Sequence, residues 1–506
     1  MRDTQGKADE TAGSVRLASR TGKWVLSCSV LASGMALLDG TIVNIALPRL
    51  GRDLGATLAT LQWTVNAYML TLTGLILLGG GLGDRFGRRR IFLVGVVWFA
   101  LASALCGVAP DSKVLIAARA LQGVGGALLT PGSLALVQST FRQEDRAKAI
   151  GAWSGLGSVA GAVGPFLGGW LVDGPGWRWI FLINLPLAAV VILVALRHVP
   201  ESRTPGATGD FDVTGAAFAA LSLAGVTYAL IAASGHQPAA AVGVAAAVGV
   251  VCGAVFVQVE RRRAHPMLPL GIFSVRLFSA VNTVTLFLYA AIGGVFFILP
   301  IQLQTTAGYS AFQAGVSTLP VTVLMLALSA PAGALAQRIG PRIPLTLGPL
   351  VAAAGLLLLR RVGLGGTSYV VDVLPAVVIQ GLGMSLFVAP LTATVLASVD
   401  VSRSGIASGV NNAAARAAQL LIVAVLPLAV GLSAHGYTSP HAVDDAFGAA
   451  MLICAALCAV SAVLAWFLVP KSALEATPDH DVARPECTTC LGVSGPPLEP
   501  GEDTAR

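Results

Sequence analysis

The sequence predicts an all-α integral membrane protein, and three observations carry that prediction. The 506-residue chain is 55% hydrophobic and only 11% charged, whereas soluble domains carry roughly 25% charged residues. Its mean hydropathy is +0.78. Apolar segments of about 20 residues, each long enough to cross the hydrocarbon core of a bilayer, follow one another with short connectors. The lipid bilayer is therefore the expected surrounding of most of the chain.

Fourteen membrane spans are predicted, and the connectors between them are too short to hold a soluble domain. Because fourteen is an even number, both termini are expected on the same side of the membrane. The predicted spans cover residues 24–47, 60–81, 91–110, 114–138, 148–172, 178–199, 213–234, 239–259, 277–303, 311–336, 343–363, 371–396, 405–432 and 445–469.

A weak internal repeat divides the spans into two groups of six. The segment 333–342 resembles the segment 80–89, with Gln337 in the place of Asp84. Repeated halves of this kind are typical of transporters. The predicted organisation is a cytoplasmic tail (1–23), an N-terminal six-helix bundle (24–199), a linker with two inserted helices at 213–234 and 239–259 (200–276), a C-terminal six-helix bundle (277–470) and a disordered cytoplasmic tail (471–506).

Basic residues predict the orientation of the chain. Most of the 32 Lys and Arg residues lie in the tails or in connectors on the side of the termini, such as 142–148 and 261–263. The positive-inside rule then places both termini in the cytoplasm, with the protein in the cell membrane. Since the basic residues are scattered through short connectors, the net charge of +7 does not indicate nucleic-acid binding.

The connector between spans 2 and 3 is short, basic and rich in glycine. It reads Gly-Gly-Leu-Gly-Asp-Arg-Phe-Gly-Arg-Arg-Arg over Gly80–Arg90. Asp84 can pair with a neighbouring arginine or with N–H groups at a helix end. A topology anchor without a further role is the alternative. We predict a conformational hinge formed by Gly80, Asp84, Arg85, Gly87, Arg88 and Arg89.

Spans 1 and 4 each carry a charge that lies deep in an apolar segment. An ionised carboxylate at Asp39 costs roughly 2.5–3.5 kcal/mol on insertion scales, so it is expected to face the bundle interior. Arg119 shares one helix face with Gln122 and needs acceptors or a carboxylate partner. We predict that Asp39 and Arg119 couple transport to protons. The alternative is a fixed structural ion pair or a carbonyl clamp.

Span 5 carries small residues on one helix face. Gly157, Gly161, Gly164 and Gly168 recur at helical spacing, which permits close helix contact, and Pro165 bends the helix. An interface that rocks during transport is one interpretation, and simple close packing is the other. The predicted gating residues are Gly164, Pro165, Gly168 and Gly169.

Polar residues within the spans are candidates for lining a substrate cavity. In span 13, Asn412 and Arg416 share a face with two glycines, and Asn411 lies beside them. The full set of candidates is Asn44, Gln122, Asn411, Asn412 and Arg416.

Enzymatic signatures are missing from the sequence. It contains no P-loop and no H-E-x-x-H motif, and its six histidines lie in connectors, span ends or the tail. Cys487 and Cys490 form one C-x-x-C in the C-terminal tail, which is a weak metal or redox signal without a second pair. We therefore expect no metal, no cofactor and no enzymatic activity.

Several motifs resemble those of the major facilitator superfamily. Gly80–Phe92 is similar to its loop 2–3 motif, Leu115–Ala127 to its span 4 motif and Ala160–Leu171 to its span 5 antiporter motif. Leu38–Pro48 is similar to the span 1 motif of the fourteen-span drug:proton antiporter branch. Segments 177–186 and 405–412 also resemble that branch.

The resemblance implies the major facilitator fold and a proton-coupled efflux antiporter that works by alternating access. Hydrophobic or cationic drugs and antibiotics are the implied substrates, the proton gradient is the implied energy source, and a monomer is the expected functional unit. A departure from many relatives is the run 417–422, which lacks the glycines that usually follow the span 13 arginine. The alternatives are a symporter or facilitator for a small metabolite with the same fold, or a membrane-embedded enzyme or sensor.

Overall fold

The structure, a computed structural model, describes residues 15–203, 212–234, 237–263, 266–400, 403–432 and 436–474. The predicted C-x-x-C of Cys487 and Cys490 lies outside these residues. The described chain is helical, with helices α1 (Arg20–Asp53), α2 (Leu58–Phe86), α3 (Arg88–Gly107), α4 (Ser112–Thr140), α5 (Gln143–Asp173), α6 (Trp179–Leu182), α7 (Asn184–His198), α8 (Val213–Ser234), α9 (Ala239–Arg262), α10 (Arg276–Thr305), α11 (Ala311–Ser317), α12 (Leu319–Ile339), α13 (Arg342–Leu359), α14 (Leu374–Ala397), α15 (Ser404–Ala429) and α16 (Pro440–Leu468).

The predicted all-α membrane architecture is confirmed. Thirteen segments of the described chain are long and apolar enough to cross a membrane, and α2, bent by 51° after Ile76, makes fourteen. Helices α6 and α7 together form one of these segments, and α11 and α12 form another. The individual boundaries differ from the predicted ones because helices of up to 34 residues extend beyond the apolar segments that reveal them.

Helix packing places the inserted pair beside both groups of six spans. Helices α1–α7 pack mainly on one another, and so do α10 and α12–α16, whereas the short helix α11 packs mainly on α5. Helix α8 packs on α9, on α2 of the first group and on α15 of the second. Trp63 of α2 lies 6.2 Å from the ring of Tyr228 in α8. The exact domain division predicted from the sequence stays a prediction, and we use "first half" for α1–α7 and "second half" for α10–α16.

Hydrogen bonds between the halves cluster at the end of the bundle away from the termini. Gln62 of α2 donates to the carbonyl of Val423 in α15 at 2.7 Å. Gln304 at the end of α10 donates to the carbonyl of Ile45 in α1 at 2.9 Å. The carboxylate of Asp173 accepts from the backbone N–H of Phe312 at 2.8 Å. These contacts join the halves at the ends where α1, α5 and α10 finish.

A tyrosine in the connector before α16 adds a further link at the same end. The hydroxyl of Tyr437 donates to the carbonyl of Ala56 at 2.5 Å. Burial raises the pKa of Tyr437 above its ordinary value, so this phenol keeps its proton and remains a donor. The link is therefore insensitive to pH in the physiological range.

The apolar core shows the same asymmetry between the two ends. One cluster of buried residues runs from Leu47 and Trp177 in the first half to Phe297 and Val423 in the second. A separate cluster, which includes Phe92 and other residues near the termini, contains residues of the first half only. The halves thus share a core at the end away from the termini.

Candidate functional site

Helix α1 carries Asp39 into the interior of the first half. The helix begins after Ser19, whose hydroxyl accepts from the N–H of Gly22 at 3.0 Å and so caps the first turn. Asp39 lies in the middle of this 34-residue helix and is fully buried. A carboxylate at that depth requires partners, and the neighbouring helices supply them.

Arg119 of α4 is the main partner of Asp39. Its Nη1 lies 2.5 Å from the Asp39 carboxylate, and only 1% of its side chain is exposed. The same nitrogen donates to the Gln122 side-chain oxygen at 2.7 Å, and Nε donates to the carbonyl of Thr64 at 3.1 Å. The guanidinium also lies over the ring of Tyr68, 4.3 Å from its centroid. Arg119 is thus held by an ion pair, two neutral acceptors and an aromatic face.

Gln122 and Asn184 extend this arrangement into a buried network. Gln122 donates from Nε2 to Asp39 at 2.8 Å and to the hydroxyl of Ser103 at 3.2 Å. Asn184, at the start of α7, donates to the same hydroxyl at 3.0 Å. Ser103 in turn donates to the carbonyl of Phe181 at 2.9 Å. The network therefore connects α1 with α3, α4, α6 and α7.

Asp39 and Arg119 were predicted from the sequence as proton-coupling residues, with Gln122 on the same helix face as Arg119. The structure brings the three side chains together, and the coupling role stays a prediction. Ser103 and Asn184 were not assigned to the site. Asn184 is a polar residue in an apolar span, and that signal was available in the sequence. The hydroxyl of Ser103 carries no such signal, because serine is common in membrane helices and bonds to its own helix equally well.

The basic connector is tighter in the structure than predicted. Helix α2 continues to Phe86, Gly87 alone separates it from α3, and its φ of 107° favours glycine. Gly80, predicted as part of the hinge, is therefore a helical residue, and so are Asp84 and Arg85. Arg88 opens α3 and donates to Asp84 at 2.7 Å.

A residue that the sequence reasoning missed holds this turn in place. Glu201, in the segment after α7, accepts from the backbone N–H of Arg89 at 3.1 Å. The Arg89 side chain donates to the carbonyl of Val199 at 2.9 Å, and the backbone N–H of Arg88 donates to the carbonyl of Ser202 at 3.0 Å. An acidic side chain at a helix N-terminus is stabilising, and here it fixes the first turn of α3.

The glycine face of α5 lies in close contact with α1 and with the second half. A methyl group added at Gly164 would overlap Thr41, and one at Gly168 would overlap Ile42. At Gly169 an added methyl group would overlap the backbone of Ala311. The close packing predicted for these positions is present. A gating role for them, and for Pro165 inside the helix, stays a prediction.

A cavity of about 150 Å³ lies between the halves, next to the buried network. It is lined by α1, α2, α10 and α15, and its polar lining includes Asn44, Asn66, Arg416 and Gln419. Asn44 and Arg416, predicted from the sequence as candidates for a substrate cavity, both line this cavity, and their contact with a substrate stays a prediction. Asn66 and Gln419 were not predicted, because they lie within apolar helices without a recognisable motif.

The other three cavity candidates lie elsewhere. Gln122 is fully buried in the Asp39 network. The side-chain amide of Asn411 donates to the hydroxyl of Thr285 at 2.8 Å, so it links α15 to α10. Asn412 is exposed and donates to the carbonyl of Ser408 in its own helix. Helical periodicity gives the face of a residue within its own helix, but it does not resolve which residues border the cavity.

Among the described residues, no group of three or more His, Cys, Asp or Glu side chains could hold a metal ion. The site offers a buried carboxylate paired with a guanidinium, and beside it a cavity with polar and apolar walls.

The fold and this site define a membrane transporter, and the comparisons identify its family. The model of the Major Facilitator Superfamily matches residues 29–423 and 281–491. The chain belongs to the major facilitator superfamily.

Its sequence relatives include proteins named for drug resistance and export. It is 36% identical over 459 residues to the puromycin resistance protein pur8 of Streptomyces alboniger, which covers 88% of this chain and 91% of that protein. It is 34% identical over 398 residues to the multidrug efflux pump LfrA of Mycolicibacterium smegmatis, covering 78% of each chain.

Solved structures of low sequence identity share the fold. A D-xylose-proton symporter superimposes with a TM-score of 0.64 over 90% of this chain and 99% of that one, at 14% identity. A peptide transporter of the POT family superimposes with a TM-score of 0.63 at 15% identity, over 87% of this chain and 95% of that one. At these identities the likeness concerns the fold alone.

Proposed function

We propose that this protein is a proton-coupled antiporter that exports small drug or antibiotic molecules across the cytoplasmic membrane by alternating access. The observation that carries the proposal is the position of Asp39. Its carboxylate belongs to the buried network, while Ala36 and Gly40 of the same helix line the cavity. Protonation of Asp39 and occupancy of the cavity therefore act on one helix.

The ion pair gives protonation a structural consequence. With Asp39 ionised, Arg119 has a charge partner inside the protein. When Asp39 takes up a proton, Arg119 keeps its charge but loses that partner, and breaking a buried pair in this way costs about 3–5 kcal/mol. A conformation in which Arg119 finds other acceptors, or water, then becomes favoured. Release of the proton restores the pair and the present arrangement.

The proton gradient supplies enough energy for uphill export without ATP. A potential of roughly 150 mV releases about 3.5 kcal/mol per proton that enters. That supports a concentration ratio of a few hundred for an uncharged substrate exchanged for one proton. No cofactor is needed for this cycle.

The proposed orientation makes the present conformation inward-facing. With the termini in the cytoplasm, the end closed by Gln62, Asp173 and Tyr437 faces outward. A substrate then enters the cavity from the cytoplasm or the inner leaflet, which is the state an exporter requires for loading. We propose that one monomer performs the cycle, since each half contributes to the cavity within a single chain.

The same fold supports import as well as export, so the direction of transport is what must be measured. The names of the sequence relatives favour export. In everted membrane vesicles we expect energy-dependent accumulation of fluorescent drugs, and collapse of that accumulation on addition of an uncoupler. Accumulation that an uncoupler leaves unchanged would contradict proton coupling. Uptake only in right-side-out vesicles would show an importer.

A further inference from the structure

The cavity between the halves has a charge that indicates its substrate. Among the described residues that line it, Arg416 is charged and none is a carboxylate. Asp39, on the same stretch of α1, is bound to Arg119 instead. The cavity thus presents one positive charge that no acidic residue in its wall offsets.

Arg416 differs from Arg119 in having no carboxylate partner among the residues that the structure describes. Its Nε is buried without a hydrogen bond, and no ion pair links it to another described residue. A guanidinium removed from water costs free energy unless an acceptor or a carboxylate accompanies it. An anion in the cavity would supply both the charge and the acceptors, because the planar guanidinium matches a carboxylate in shape.

Asn66 provides an independent indication that a polar ligand group binds here. It lies on α2, is fully buried, and neither its amide nitrogen nor its oxygen has a hydrogen-bond partner in the protein. Such a side chain is rare in a folded interior. Asn44 on α1 also leaves its buried oxygen unpaired. Both residues line the cavity with Arg416, so three helices contribute polar side chains with unpaired atoms to one wall.

The remaining lining is apolar and suited to a ring. Met69 and Phe296 border the same cavity. Thioether and aromatic side chains make favourable contacts with aromatic rings. A volume of about 150 Å³ is comparable to a cavity that accommodates one benzene ring.

We propose that this cavity selects aromatic compounds that carry an acidic group, with the anionic group bound by Arg416 and Asn66. This proposal rests on the proposed function, because it assigns the substrate class of the same transporter. It departs from the hydrophobic or cationic preference that the sequence resemblance implies. A cationic substrate would meet the positive charge of Arg416 with no carboxylate to compensate.

The test compares three probes of one shape on the purified full-length protein. The probes are benzoate, neutral benzamide and the planar cation benzamidinium, with binding measured by calorimetry. We expect benzoate to bind at least about tenfold more tightly than the amide, and the cation to bind most weakly. A cation that binds as tightly as benzoate overturns the proposal.

Substitution of Arg416 tests whether this one side chain causes the preference for the anionic probe. In Arg416→Gln the Kd for benzoate should rise about 10- to 100-fold, while that for benzamide should change by less than about twofold. Arg416→Lys should retain most of the preference. Arg361→Gln, which removes an exposed arginine outside the cavity, is the matched control and should bind all probes as wild type does. Equal weakening of anion and amide by Arg416→Gln would overturn the proposal.

This binding test can fail or succeed independently of the transport test of the proposed function. If Arg416→Gln does not elute as a single species in gel filtration, the order of the three probes on the wild-type protein decides. Vesicle transport that ignores an uncoupler would refute the proposed antiport while the order of binding still stands. Uncoupler-sensitive export with the reverse order of binding would refute only the substrate class.

Discussion

Each half of the molecule carries an arginine within a membrane span, but the two arginines have different surroundings. In the first half, Arg119 is fully enclosed by an ion pair, a side-chain acceptor and a carbonyl. In the second half, Arg416 borders a cavity and its Nε has no partner. Protonation of the carboxylate removes the charge partner of a paired buried cation. An unpaired cation instead gains a charge partner when an anionic ligand binds. We infer that the first half holds the coupling proton and the second half supplies charge for the substrate.

The short turns that follow the second span of each half show a parallel difference. Gly87 and Gly340 both adopt a positive φ, of 107° and 82°. In the first half, Asp84 pairs with Arg88 across the turn. In the second half, Gln337 occupies the equivalent position, and Arg342 instead donates to the carbonyl of Trp466 in α16. The turn geometry is repeated while the charge pair is not.

The largest expected effect comes from removing the charge of Asp39. Asp39→Asn keeps the size and a hydrogen-bond acceptor but cannot exchange a proton, so uphill export should fall by at least about 100-fold. The comparison should be made at matched protein levels in everted vesicles. Asp53→Asn, which removes an exposed aspartate paired with Arg49 on the same helix, is the control and should transport normally. Uncoupler-sensitive export with wild-type pH dependence in Asp39→Asn would place the coupling proton elsewhere.

A smaller loss of export is expected when Arg119 is replaced by lysine, which keeps the positive charge but lacks the planar guanidinium group. Lysine at this position cannot bond at once to Asp39, Gln122 and the carbonyl of Thr64, so Arg119→Lys should lower export about 10- to 100-fold. Combined with Asp39→Asn it should add little, because both changes disrupt one network. Arg178→Lys, outside that network, serves as control. Fully additive losses would show that the two residues act independently.

The contact between the halves can be weakened without touching either arginine. A methyl group at Gly169 would overlap the backbone of Ala311, so Gly169→Ala should disfavour the conformation with this end closed. Spin labels at Asp53 and Thr306, at the adjoining ends of α1 and α10, should then report a larger population of long distances. Gly157→Ala is the matched control, because its added methyl group would make an ordinary contact of 3.6 Å with Leu37. Identical distance distributions in both variants would contradict a gating role for Gly169.

The smallest effect on transport is expected from a substitution at the turn between α2 and α3. Asp84 and Arg88 are partly exposed, with side-chain exposures of 46% and 22%, and such pairs contribute little to stability. Asp84→Asn should therefore leave expression unchanged and lower the transport rate about two- to fivefold. Gln337→Asn, at the equivalent position of the second half, should have no effect on rate. Wild-type turnover in Asp84→Asn would show that the charge of Asp84 has no role in transport and that this connector serves only as a topology anchor.

The sequence by itself determined the fold class, the number of spans and the two charges buried deep within spans of the first half. Length and apolarity are enough for this, because a backbone in lipid must satisfy its hydrogen bonds internally and each span needs about 20 apolar residues. Asp39 and Arg119 were evident for the same reason, since ionised groups are costly in lipid and few are present.

Only the tertiary structure decided which polar residues meet. Asp39 and Arg119 are 80 residues apart along the chain, and Ser103, Asn184 and Glu201 join their sites from other helices or connectors. Helical periodicity gives the face of a residue within its own helix, but not the neighbour toward which that face turns. Asn66 and Arg416 could therefore be recognised together only in the structure, because the cavity that they line is formed by the packing of α1, α2, α10 and α15.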